Sequence, residues 1–252
     1  MIGNIYTANL NRIEFVITNA CTGRCKHCSE GDHAGSGPHI DPEIAAGVVR
    51  EVSGSCRIES VMTFGGEPML YPEAVYAIHA AAAELGIPKR QLITNGYFTK
   101  DAARIKAAAE QLLRCRVNDI LLSADAFHQE TIPLEPVKRF AAELLALGLP
   151  LRMNPAWLVS KTHDNLCNNR TREILAEFEA MGIAANGGNV IFPEGNALKY
   201  FGDYFESGAV YINPYEEDPA DLHTLSIDPD GSALGGNVYK TNVLMLLNQY
   251  HP

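Results

Sequence analysis

The sequence predicts an α/β fold: a partial (β/α)6, TIM-like barrel of parallel strands, with a small α+β appendage at its C-terminal end. Three observations predict it. Short strand-like runs begin near residues 13, 59, 91, 119, 151 and 189, helix-period segments lie between them, and each run ends in a short polar or glycine-rich motif. Strands alternating with one-face helices imply a parallel sheet with helices outside. Six such units imply a barrel shortened from the eight-fold form, with chemistry at the C-terminal ends of its strands.

The elements follow in order. IEFVIT, residues 13–18, is the first strand, and Asp41 followed by Pro42 reads as the N-cap and first residue of a helix running through Val52. Glu59–Thr63 leads into Phe64-Gly65-Gly66-Glu67-Pro68. The helix after it, Tyr71–Leu85, places Val75, Ile78, Ala82 and Leu85 on one face. Gln91–Thr94 ends in Thr94-Asn95-Gly96, and Ile105, Ala108, Ala109 and Leu112 form the next apolar face. Ile120–Leu122 ends in Ser123-Ala124-Asp125, with His128 close behind and a helix carrying Val137, Phe140, Ala141, Leu144 and Leu147. Leu151–Met153 ends in Asn154-Pro155, and a helix with Ile174, Leu175, Phe178 and Met181 follows. Val190–Phe192 ends in Pro193-Glu194-Gly195-Asn196. After about residue 200 the alternation stops, so residues 1–200 are expected to form the barrel and 201–252 a short extension. In that extension Leu225–Asp228 enters a Pro229-Asp230-Gly231 turn, and Val243, Leu246 and Leu247 mark a closing helix.

Composition narrows the function. At 252 residues and 46% hydrophobic, the chain can bury one large core plus a small appendage. No 18-residue apolar run is present, so no membrane span is expected. A net charge of −10 without a Lys/Arg stripe argues against nucleic acid and mildly favours a neutral or basic peptide partner. Cys56, Cys115 and Cys167 are scattered singly and no apolar signal segment stands out, which suits a reducing, cytoplasmic setting.

The most informative motif is Cys21-x3-Cys25-x2-Cys28 on the loop after the first strand. Three thiolates on one loop can hold three irons of a [4Fe–4S] cluster and leave the fourth open to a chelating small molecule. A structural zinc site drawing on His27 or His33 is a second reading of the triplet, and unligated thiols a third.

Taken with GGEP, TNG and Ser123-x-Asp125 at the ends of successive strands, the triplet resembles the radical SAM superfamily over about residues 10–200. The resemblance implies an oxygen-sensitive enzyme that reductively cleaves S-adenosylmethionine (AdoMet) at a single [4Fe–4S] cluster, and abstracts a hydrogen atom from its substrate with the resulting 5′-deoxyadenosyl radical. It implies Cys21, Cys25 and Cys28 as cluster ligands and His27 as the ring that touches adenine. Gly65, Gly66 and Glu67 would meet the methionine amino group, and Ser123 and Asp125 the ribose, with Asn95 on the same wall. Arg152, placed by location, would pair with the AdoMet carboxylate or form an ordinary structural salt bridge. Cys167, in the loop SKTHDNLCNN, would be a hydrogen-atom donor, as in radical epimerases of the superfamily, or a packed thiol. A reducing partner such as flavodoxin or ferredoxin is implied as well.

The phrase LSIDPDGSALGGNVY is similar to the opening of the SPASM-type extension of peptide-modifying members. No cysteine follows Cys167, so an auxiliary cluster of that type is excluded by ligand count. Three functions follow: tailoring of a ribosomally made peptide (or a small molecule) by epimerisation or cross-linking; activation of a glycyl-radical enzyme; or a non-catalytic Fe–S or zinc interaction protein.

Overall fold

The computed structural model describes residues 3–206, 208–211, 213 and 215–252. Six parallel strands form one sheet: β1 (Arg12–Val16), β2 (Ser60–Phe64), β3 (Lys89–Thr94), β4 (Asp119–Leu122), β5 (Leu151–Met153) and, on the far side of β1, a strand from the C-terminal region. The order from β5 to β1 is sequential, each step crossing over through helix: α1 (Pro42–Ser53), α2 (Pro72–Glu84), α3 (Ala102–Arg114), and after β4 the short α4 (Ala126–Gln129) and α5 (Leu134–Ala146). The sheet is the expected α/β partial barrel.

Local chemistry fixes these elements. Asp41 caps α1, its Oδ1 accepting from Glu43 N and Ile44 N at 2.9 Å, with Pro42 at the first helical position. Asp101 does the same for α3, accepting from Ala103 N at 2.8 Å. Ile13 and Phe15 are fully buried and pack in the core with Val49, Val52, Ile78 and Leu112. Their neighbours on the other face, Arg12, Glu14 and Val16, are partly buried, as the period of two requires.

After Asn154-Pro155 the fifth strand resumes as β6 (Ala156–Trp157). The helix α6 (Leu166–Glu179) then leads to β7 (Asn189–Val190), which pairs in parallel with β6. Met153 also bridges Ala185 in parallel. The predicted sixth strand therefore lies beside the fifth, though broken. Gly188 has φ +70°, and a Cβ there would lie 2.2 Å from Pro155 O, so the backbones touch where regular pairing would otherwise run on. Past β7 come α7 (Gly195–Phe201) and β8 (Thr224–Ile227). β8 was expected in the appendage, but it joins the main sheet as the edge beside β1, in register Arg12↔Thr224 to Phe15↔Ile227. Its Thr-Leu-Ser-Ile alternation buries Leu225 and Ile227 against the core and leaves Ser226 exposed. A two-stranded hairpin, β9 (Ser232–Ala233) and β10 (Gly236–Asn237), and α8 (Val243–Gln249) complete the chain. Asn242 Nδ2 ties α8 to Glu51 of α1 at 2.7 Å. Among the described residues no helix is long and apolar enough to cross a membrane.

Candidate active site

The loops at the C-terminal ends of β1 to β4 converge on a cavity of about 130 Å³, lined by Cys21, Cys25 and Cys28 on one side and by Gly65, Gly66, Asn95 and Ser123 on the other. The cysteine loop is pinned at both ends, Cys21 N donating to Ala34 O at 2.8 Å and Gly31 N to Cys28 O at 3.3 Å. None of the three cysteines is in a disulfide. Burial pushes the Cys21 thiol up to about 11 and raises those of Cys25 and Cys28 as well. Buried thiolates of this kind need a cation beside them, and a metal centre supplies one.

Two kinds of metal centre take thiolate donors. Around one tetrahedral zinc, sulfurs sit roughly 3.8 Å apart. Among the described residues, His27, Asp125 and His128 bring three potential ligand atoms within 4.8 Å of one another. In a multi-iron cluster each sulfur takes its own iron, an arrangement that three thiols on one loop suit.

The cavity wall is built from the strand-end motifs. Gly66 N donates to Thr18 O and Glu67 N to Ala20 O, both at 2.8 Å, so GGEP lies against the backbone that leads into the cysteine loop. A Cβ on Gly66 would sit 2.1 Å from Ala20 O, and one on Gly65 (φ +136°) 2.5 Å from Thr18 O. Glycine is required at both. Asn95 lines the cavity, and its Nδ2 reaches Cys21 Sγ at 3.6 Å and Thr22 Oγ1 at 3.2 Å, a link to the cysteine loop that the sequence did not show. His27 also lines the cavity. Its ring lies 5.1 Å from that of Phe127 and 4.6 Å from that of His128, and burial first, then His128, lowers its pKa to about 4. It is a neutral aromatic surface, suited to a base.

Four expected contacts are placed elsewhere. Glu67 is fully buried behind the wall. Its carboxylate accepts from Met69 N (2.9 Å), Thr94 Oγ1 (2.7 Å) and Asn95 N (2.8 Å), so it ties GGEP to TNG instead of facing the cavity. Burial pushes its pKa up to about 7 against those donors. Asp125 is likewise fully buried: Oδ1 caps α4 through Phe127 N and His128 N, while Oδ2 accepts from Ala156 N and pairs with His128 Nδ1 at 2.9 Å. Three hydrogen bonds and the close His128 contact thus engage both oxygens with the protein's own loops. Burial alone would raise this carboxyl, but His128 and the N–H donors hold it well below the usual carboxylate range. Ser123 does line the cavity. Arg152 turns to Asp119 Oδ2 at 2.9 Å, in a polar row with Gln91 and Lys89 at the start of β4, which takes it away from the strand ends. Cys167, at the start of α6, packs with Phe127, Ala156, Leu158 and Ile191 and is not part of the cavity wall. Trp157 is 2% exposed and fills core.

His33, which the sequence offers as a ligand in the zinc reading, does lie beside the cysteine loop: its Nε2 is 3.2 Å from Cys28 Sγ and its Nδ1 2.7 Å from Asn19 O. Sequence reasoning missed Asn196, whose backbone N donates to Cys28 O at 2.8 Å.

Residues 15–150, more than half of the chain, match the family model of the radical SAM superfamily. The chain belongs to that superfamily. It is therefore an enzyme whose cofactors are a [4Fe–4S] cluster and AdoMet. Solved structures share the fold of this radical SAM protein. Native anSMEcpe with bound AdoMet is 14% identical, with 96% of this chain and 81% of that one covered and a TM-score of 0.58. SuiB of Streptococcus suis bound to the precursor peptide SuiA is 14% identical, with 97% and 65% covered and a TM-score of 0.59; the chain thus spans about two thirds of SuiB. BtrN in complex with AdoMet and 2-DOIA is 12% identical, with 95% and 82% covered and a TM-score of 0.54. No curated protein matches the chain by sequence.

Proposed function

We propose that Cys21, Cys25 and Cys28 hold the cluster, that the cavity bounded by Gly65, Gly66, Asn95, Ser123 and His27 receives AdoMet, and that the substrate is a peptide tailored by epimerisation or cross-linking. Cluster and AdoMet together supply a 5′-deoxyadenosyl radical able to abstract an unactivated hydrogen atom. The protein's own part is positional. The two glycines let the GGEP backbone approach the bound amino acid, His27 offers a neutral ring to adenine, and Asn95 donates toward the Cys21 sulfur. Glu67 and Asp125 lock the loops that carry these groups.

The observation that carries the peptide reading is the segment 192–218 beyond β7. It holds seven aromatic residues and six acids against one lysine, and Leu198, Tyr200, Tyr204, Val210 and Tyr215 are exposed. An apolar, aromatic and acidic surface fits an extended chain with apolar and basic side chains better than a small anionic metabolite. The likeness to SuiB, solved with its precursor peptide, and to anSMEcpe, solved with bound peptides, supports the same reading. BtrN, solved with 2-DOIA, favours the small-molecule alternative. A flavodoxin or ferredoxin would deliver the electron. The test is anaerobic turnover of candidate peptides in D2O with AdoMet and reductant, followed by mass spectrometry. Deuterium at one peptide carbon, or loss of two hydrogens on cross-linking, is expected. Unaltered peptides beside a converted small molecule would overturn the peptide assignment.

A further inference from the structure

We propose that Gly195 and Asn196 form a clasp that holds the cysteine loop at the spacing its cluster needs, which makes Asn196 a positioning residue for that cluster. The inference rests on Cys21, Cys25 and Cys28 being the ligands. Residues 25–29 form a turn without regular secondary structure, so something outside the turn must fix its shape. Within the turn, Cys28 N donates to Cys25 O at 3.2 Å. From the start of α7, Asn196 grips the carbonyls of both cysteines: its backbone N donates to Cys28 O at 2.8 Å and its Nδ2 to Cys25 O at 3.4 Å. The same Nδ2 donates to Asp32 Oδ1 at 3.0 Å, beyond the turn. One residue, 164 positions away from Asp32 in sequence, thus ties three points along the ligand loop.

Two further features fit a clasp. Asn196 is 5% exposed, so its amide is spent on these partners and not on water. Gly195 has φ +51°, and a Cβ there would lie 2.1 Å from Ser29 O and 2.8 Å from Cys28 O, so the exit of the sixth strand runs against the loop backbone with no side chain between. A loop free to breathe would let its sulfurs leave the metal one at a time. A loop held at both carbonyls keeps them at the distance at which the cluster was assembled.

The test uses the anaerobically reconstituted full chain with Asn196→Asp, Asn196→Ala and, on the same helix, Leu198→Ala as a control at an exposed position. The Asp variant keeps the shape and the backbone donor but removes the side-chain donors. Three quantities are read: the rate of iron release to a ferrous chelator, the electron paramagnetic resonance signal of the reduced protein, and the melting temperature of the metal-free chain. Both Asn196 variants are expected to release iron about tenfold faster, the factor one net hydrogen bond or slightly more supplies. They should also show a broadened or three-iron signal, with metal-free melting lowered by no more than a few degrees and Leu198→Ala unchanged in all three. Release within twofold of wild type would overturn the clasp, and so would faster release matched by Leu198→Ala or accompanied by a fall in metal-free melting of more than about 10 °C. Failure of the wild-type chain to take up iron would instead overturn the ligand assignment.

Discussion

Gly66→Ala is the sharpest single test of how the site is assembled. The added Cβ would lie 2.1 Å from Ala20 O and 2.7 Å from Ala20 C, whereas real Cβ atoms essentially never come within 3.0 Å of such atoms. GGEP and residues 18–20 must therefore part by about 1 Å, and the atoms met are backbone, which cannot swing aside. The forced fit costs roughly 1–3 kcal/mol. Stretching the bonds from Gly66 N to Thr18 O and from Glu67 N to Ala20 O adds roughly 0.5–1.5 kcal/mol each. A total of roughly 2–6 kcal/mol lowers melting by several degrees or more, at about 2–4 °C per kcal/mol for a chain of this size. Gly47→Ala, inside α1 with nothing within 4 Å of the new Cβ, is the control and should be neutral or stabilising by up to about 1 kcal/mol. Circular-dichroism melts and iron content of the two variants decide it. Gly66→Ala melting within 2 °C of wild type, with full iron, would refute the claim that the two loops are in backbone contact.

Other predictions follow from the same geometry. His79 is fully buried with Nε2 2.9 Å from Thr63 Oγ1, and burial first, then Arg90, push its pKa down to about 3. The unfolded imidazole takes a proton below about pH 6.5 that the folded chain refuses, so stability is complete above that pH. It should fall by about 2 kcal/mol on going to pH 5, and His79→Gln should remove that part of the slope in urea titrations. Arg152→Ala breaks the pair with Asp119 and should leave AdoMet affinity within twofold of wild type by equilibrium binding; a tenfold loss would put the guanidinium back in the nucleotide pocket. Asp125→Asn loses the carboxylate contact to His128 and at least one acceptor, so melts should show a loss of roughly 1–3 kcal/mol.

The legible parts of the sequence were the local ones. Asp41-Pro42 announces a helix start because the cap and the proline act within one turn, and the apolar face from Val75 to Ile78 announces packing by its period alone. The cysteine triplet and the glycines of GGEP are equally local, since spacing and the lack of a Cβ are written in the chain. Glu67 and Asp125 mislead because a carboxylate at a strand end looks the same in sequence whether it caps backbone N–H groups or meets a ligand. Arg152 misleads because direction across a strand flips with each residue, and its neighbour Asp119 comes from another strand. The place of β8 in the sheet and the contacts of Asn196 were hidden for a different reason: their partners, β1 and the cysteine loop, lie well over a hundred residues earlier, and no period or spacing reports such a pairing. Cys167 sat on the expected side of the barrel, and its helix packs it, half-buried, against the small apolar cluster that holds Phe127 and Ile191.

The central claim is that three cysteines hold a cluster whose remaining iron accepts AdoMet. The most direct measurement is 5′-deoxyadenosine formed from AdoMet by the dithionite-reduced, anaerobically reconstituted protein, with iron counted in the same sample. About four irons per chain and 5′-deoxyadenosine from wild type, with none from Cys28→Ala, is the predicted result. A chain that carries one zinc, or that is fully loaded with iron and leaves AdoMet intact, would contradict it.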